Sequence, residues 1–134
     1  MLTNLKDDPR PEGLVRTCSI WRALEVLGDV PSLLILEAIW LGDKRFETIR
    51  ARTCLSKPLV SERLKSLVEN GIIRRSQYNA HPPRFEFELE EKGLALFPVT
   101  MMLFRWEKER STRQPTLQID LVHRTCGHTI TPVP

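Results

Sequence analysis

Apolar residues recur along this chain in short runs whose spacing changes twice. Ile20, Leu24 and Leu27 stand at helical intervals, Trp21 and Val26 widen the same side, and Gly28 ends the run, which predicts a first helix. The chain restarts over Asp29 to Ser32, with Pro31 in a first turn that has no intrahelical bond to lose. LLILEAIWL (33–41) then predicts a second, largely buried helix closed by Gly42. Phe46, Ile49 and Arg50 open a shorter helix that stops near Thr53. A fourth begins at Ser56, whose side-chain oxygen is expected to cap it, and Leu59, Val60, Leu64, Leu67 and Val68 share its inner face until Asn70 and Gly71. Pro58 falls in the first turn of that helix, where a missing N–H costs nothing.

After Gly71 the period shortens to two. IIRRSQY (72–78) and RFEFEL (84–89) are rich in β-formers, and the second alternates Phe85, Phe87 and Leu89 with Glu86 and Glu88. With NAHPP between them they predict a β-hairpin with a stiffened tip. Helical spacing returns from Glu90 with Leu94, Phe97, Val99, Met101, Leu103 and Phe104, and Pro98 predicts a kink. This last helix carries more apolar residues than one face needs. A dimer interface and burial against the first two helices are both outlets for the excess.

The elements bracket one domain, 18–110, between a polar arm at 1–17 holding Pro9, Pro11 and Gly13 and a tail at 111–134. A chain of 134 residues, 41% hydrophobic and 28% charged, is expected to bury its own core without disulfides. The longest apolar run carries Glu37 and falls short of a membrane span, and the N-terminal residues show no signal-peptide pattern. A cytoplasmic location is therefore expected, with no membrane partner. Cys18, Cys54 and Cys126 are far apart and odd in number, which predicts reduced thiols.

Charge changes the picture through its placement. The formal net charge is only +3, but residues 43–75 hold nine basic side chains against four acids. That stretch contains the short helix, a tight turn over 53–55 and the helix from Ser56, the layout of a helix-turn-helix, and the hairpin after it makes the winged variant. The predicted fold class is thus α+β, mainly α. With the leucine stripe turned inward, Lys57, Pro58, Ser61, Glu62 and Lys65 face outward as a candidate reading head for a DNA major groove. Lys57 suits guanine acceptors, Glu62 a cytosine amino group, and the Pro58 ring a thymine methyl. Ser56, Arg45, Arg52 and Arg63 are expected on phosphates, and Arg75 and Arg84 of the hairpin on the neighbouring backbone or minor groove. A solvated basic face is the plainer alternative for the whole stretch. For Arg63 alone, an ion pair within the protein is an equal one.

The same residues resemble the HxlR-type winged helix-turn-helix transcriptional regulators over about Cys18 to Trp106. The resemblance rests on CSIWRALEVLGD leading into LLIL, on GDKRFETIR, on LSKPLVSERLKSLVENGIIRR and on PPRFEFELEEKG, in that order. Two positions depart from the family pattern: Pro31 stands where a tryptophan is usual, and Glu90 follows the wing where a threonine is usual. The resemblance implies a homodimer in which the first and last helices, about 19–27 and 91–109, pack across a two-fold axis and present two recognition helices to a palindromic operator. It also implies that Cys18 occupies the position at which some members sense oxidants or electrophiles, so that a small electrophile is a candidate effector; an inert packing thiol is the alternative. LVHRTCGH in the tail resembles the start of a cysteine-bearing extension found in some members.

Cys54, in the turn of the helix-turn-helix, is expected to be a small packing residue. His123, Cys126 and His128 supply three potential ligands without a well-spaced fourth, short of a structural zinc set, so no metal or other cofactor is expected. No glycine-rich phosphate loop, G-x-S-x-G or H-E-x-x-H is present, and an enzyme is not expected. The alternative function is a winged-helix module for protein–protein contact, its basic face bound to an acidic partner.

Overall fold

A computed structural model describes residues 18–27, 29–110, 112, 122–123 and 125–129. The 1–17 arm, Gly28 and most of the tail lie outside the described residues. Among the described residues six helices and one hairpin follow in the order α1 (Ser19–Leu27), α2 (Val30–Trp40), α3 (Phe46–Thr53), α4 (Lys57–Glu69), β1 (Ile73–Ala80), β2 (Pro83–Leu89), α5 (Glu91–Leu94) and α6 (Phe97–Arg110).

Helix α2 is apolar on nearly every side and takes the centre, with Ile35, Leu36 and Ala38 fully buried. The Asp29 carboxylate caps it by accepting the Ser32 N–H at 2.8 Å. Around it pack Ile49 of α3, Val60, Leu64 and Leu67 of α4, and Ile72, Ile73 and Phe87 from the base of the hairpin. Fully burying such a side chain stabilises by about 1.5–3 kcal/mol, which fixes α3 and α4 against one surface. Helix α4 ends as its sequence predicts: Asn70 is the C-cap, Gly71 takes φ +68°, and the Ile72 N–H returns to the Leu67 carbonyl at 3.0 Å.

The strands are antiparallel, pairing Ile73 with Leu89, Arg75 with Phe87 and Ala80 with Pro83. Pairing thus runs beyond the expected strands into NAHPP, leaving only His81 and Pro82 at the tip. The register shifts between Gln77 and Asn79, which leaves Tyr78 as the extra residue of a bulge. The Phe87 N–H donates to the Lys44 carbonyl at 2.7 Å, tying the wing to the loop before α3.

Two expectations for the last helix are corrected. It is two helices, α5 and α6, with the break at Ala95 and Leu96, and Pro98 lies in the first turn of α6 rather than at a kink within a longer helix. A ring at position 98 would collide with the Leu94 carbonyl in a continuous helix, so the chain breaks upstream and restarts where the proline is tolerated. Of the two outlets for its apolar excess, burial is slight: Phe97 meets Trp40 edge-on at 5.6 Å, but α6 has no buried residue and neither has α1.

Candidate nucleic-acid interface

The turn between α3 and α4 is three residues, Cys54, Leu55 and Ser56. Cys54 closes α3 in the left-handed conformation, φ 55°, with its N–H on the Arg50 carbonyl at 3.0 Å. Its side chain is exposed, so the expected packing role is corrected: a C-cap in this conformation turns the chain away from the core. Ser56 is the N-cap of α4, but its hydroxyl makes no capping bond, contrary to expectation. Pro58 in the first turn removes one of the N–H groups such a cap would serve.

With Val60, Leu64 and Leu67 locked inward, the helical period turns Ser56, Lys57, Pro58, Ser61, Glu62 and Lys65 to solvent, all of them exposed. Among these, Lys65 lies 3.8 Å from Glu69 one turn on, and Glu62 accepts from Arg63 Nη1 at 2.7 Å. Arg63 itself points the other way. Its Nε sits 2.6 Å from Asp29 Oδ2 as an ion pair, and its side chain is only 25% exposed, so α4 is tied to the cap of α2. Burial works to raise the Asp29 pKa, but hydrogen bonds from Ser32 and the Arg63 charge outweigh it and hold the carboxyl below its ordinary value.

On the wing, Arg75 and Arg84 are exposed, and among the described residues neither has an ion-pair partner. The Arg75 guanidinium lies 3.5 Å from the centroid of the Phe85 ring. Arg45 reaches the wing from the start of α3, bonding Glu86 at 3.2 Å and lying 4.7 Å from the Tyr78 ring centroid. Arg52 is drawn to Asp43. Five predicted residues, Arg45, Ser61, Lys65, Arg75 and Arg84, line a single cleft between α3, α4 and the wing. Ser56, Lys57, Pro58 and Glu62 lie at the exposed start of α4 beyond it, and Arg63 is on the far side.

Sequence reasoning missed Tyr78, Glu86 and Glu88. Glu88 holds both Lys44, at 2.9 Å, and Arg74, at 2.7 Å, and the hydrogen bond from Arg74, then that from Lys44, keep its pKa low. The signal was available: once the hairpin is registered, Arg74 stands directly across from Glu88. Cys18 precedes α1, half-buried, and its carbonyl accepts the Arg22 N–H at 3.0 Å. In the tail, His123 Nδ1 lies 3.2 Å from Cys126 Sγ, within a turn closed by a Val122–Thr129 bridge. No described helix is long and apolar enough to cross a membrane.

Comparison with known proteins places this geometry. The HxlR-like helix-turn-helix family model matches residues 26–115. The HTH-type transcriptional regulator Rv3095 of Mycobacterium tuberculosis is 38% identical over 109 residues, 81% of this chain and 69% of its own length. Among solved structures, that of PA1607 superposes with a TM-score of 0.78 at 27% identity, covering 92% of this chain and 86% of its own. The reduced form of the transcriptional regulator YodB from B. subtilis superposes with a TM-score of 0.62 at 29% identity, over 73% and 98% of the two chains. YodB has also been solved after diamide treatment.

Proposed function

Because the chain belongs to the HxlR-like helix-turn-helix family, whose relatives here are transcriptional regulators, we propose that it is a sequence-specific DNA-binding regulator acting as a homodimer on a palindromic operator. The observation that carries the reading is one face of α4. Lys57, Pro58, Ser61, Glu62 and Lys65 are exposed together at and beyond the helix start, while the opposite face is welded to the core, and the exposed Arg75 and Arg84 stand alongside on the wing. Bases are read by the first group and phosphates held by Ser56, Arg45 and the wing arginines. Such a protein works in the cytoplasm, where its operator is.

Selection of bound duplexes from a random pool tests this. The expected product is a palindrome with half-sites about one helical turn apart, bound with a steep salt dependence. Weak, sequence-blind binding would sink the reading and favour a module for an acidic protein partner.

The dimer is supported by α1 and α6, whose apolar residues Ile20, Leu24, Leu103 and Trp106 are more than half exposed in one chain. Cys18 stands at the start of α1 and is proposed as a thiol that an electrophile modifies to alter DNA affinity, in keeping with the diamide-treated YodB structure. A Cys18→Ser variant is expected to hold its operator in diamide while the native chain responds; an identical response in both would remove Cys18 from this role.

A further inference from the structure

The cleft between α3, α4 and the wing has a chemistry that phosphate contact does not use. Its volume is about 930 Å3, toward the upper end of the range of small-molecule sites. The floor is apolar: Leu64 and Phe87 come up from the core, and Phe46 and Val68, both half-buried, flank them. The rim is cationic, with Arg45, Lys65, Arg75 and Arg84 outnumbering Glu47 and Glu69 by two charges. Both acids are already engaged, Glu47 by Arg50 at 3.3 Å and Glu69 by Lys65 at 3.8 Å. Arg45 is satisfied by Glu86. That leaves Arg75 and Arg84 as the cations without an ion-pair partner among the described residues.

Arg75 is also preorganised. Stacking on Phe85 at 3.5 Å fixes the plane of its guanidinium and leaves the N–H edge to fork onto an oxyanion. A DNA phosphate would meet such an edge from outside and leave the aromatic floor empty. A flat apolar body with one carboxylate fills both parts. We propose that this cleft is a binding site for a small aromatic carboxylate, its ring system on Phe46, Leu64, Val68 and Phe87 and its carboxylate on Arg75 with Arg84. Its regulatory consequence rests on the DNA-binding reading above. An occupant engages Arg75 and Arg84 and sits beside Ser61 and Lys65, so carboxylate and duplex compete, each weakening the other by the same factor.

Calorimetry of the full chain without DNA tests the site, with 2-naphthoate as probe and 2-naphthalenemethanol as its neutral counterpart. Naphthoate is expected to bind with a Kd below about 1 mM, more tightly than the alcohol. Arg75→Gln, a change on an exposed strand position, is expected to weaken naphthoate by about ten- to a hundredfold, the loss of one charge-assisted contact, and to leave the alcohol unchanged. No binding, equal binding of acid and alcohol, or indifference to Arg75→Gln would each overturn the proposal. Release of a labelled, selected duplex by naphthoate then supports the competition, and a ternary complex of undiminished affinity overturns it. A chain that binds naphthoate but no duplex supports the cleft and sinks the DNA reading instead.

Discussion

Asp29 does two jobs with one carboxylate. One oxygen accepts the Ser32 N–H that starts α2, and the other pairs with Arg63 of α4 at 2.6 Å. Its folded pKa lies below the ordinary 3.8, so the stabilisation is fully present above that value and is lost as pH falls through the depressed folded pKa. Asp29→Asn keeps an acceptor for the cap but loses the charge. It is expected to be less stable at pH 7 and to lose less on going from pH 5 to pH 2, measured by urea denaturation across that range. Asp29→Ala loses the cap as well, at about 1 kcal/mol. Under the proposed DNA-binding function the exposed residues divide by role. Lys57→Ala is expected to relax base preference at one operator position, whereas Arg84→Ala weakens all duplexes alike and lowers the salt slope by about one. Exchange of those two phenotypes in binding assays across operator variants would reverse the assignment. Which way Arg63 pointed was not legible in the sequence, since Asp29 lies 34 positions away and only the packing of α4 on α2 brings them together.

At the scale of elements, the hairpin is anchored at three places that have little to do with its own alternation. Phe87 reaches back to the Lys44 carbonyl, the Glu90 N–H donates to the Ile72 carbonyl at 3.0 Å, and Gly93 of α5 lies against that same carbonyl. A Cβ at Gly93 would stand 2.3 Å from the Ile72 oxygen. Gly93→Ala is therefore expected to destabilise by roughly 1–3 kcal/mol, as overpacking against a fixed backbone does, and to lower Tm in a thermal melt. An unchanged Tm would show that α5 does not rest on the strand. The need for glycine at 93 was invisible beforehand, because helical spacing alone reads KGLALF as one uninterrupted run. Proline chemistry carried through at Pro31 and Pro58, which lie in first turns as expected, whereas Pro98, expected as a kink, opens a separate helix.

For the whole molecule, the unburied faces of α1 and α6 set the problem. Ile20 is 71% exposed, and Trp106 is 65% exposed, an apolar display that a single chain leaves in water. If a second copy covers it, Leu103→Glu is expected to yield a monomer by sedimentation and to weaken operator binding, since two half-sites no longer act together. A dimer that survives this change would move the interface elsewhere. The local chemistry of the chain determined its first four helices, its hairpin and the outward set on α4, because hydrophobic period and proline position act within a turn or two of sequence. It also determined the inward stripe of Leu64 and Leu67 that seats α4 on the core and leaves its other face to solvent. Only the tertiary structure decided the partners of the charged groups, Arg63 with Asp29, Arg45 with Glu86 and Lys44 with Glu88. It alone brought Phe46, Leu64 and Phe87 under a rim of arginines, since a cleft between distant segments depends on how elements pack and not on the period of any one of them.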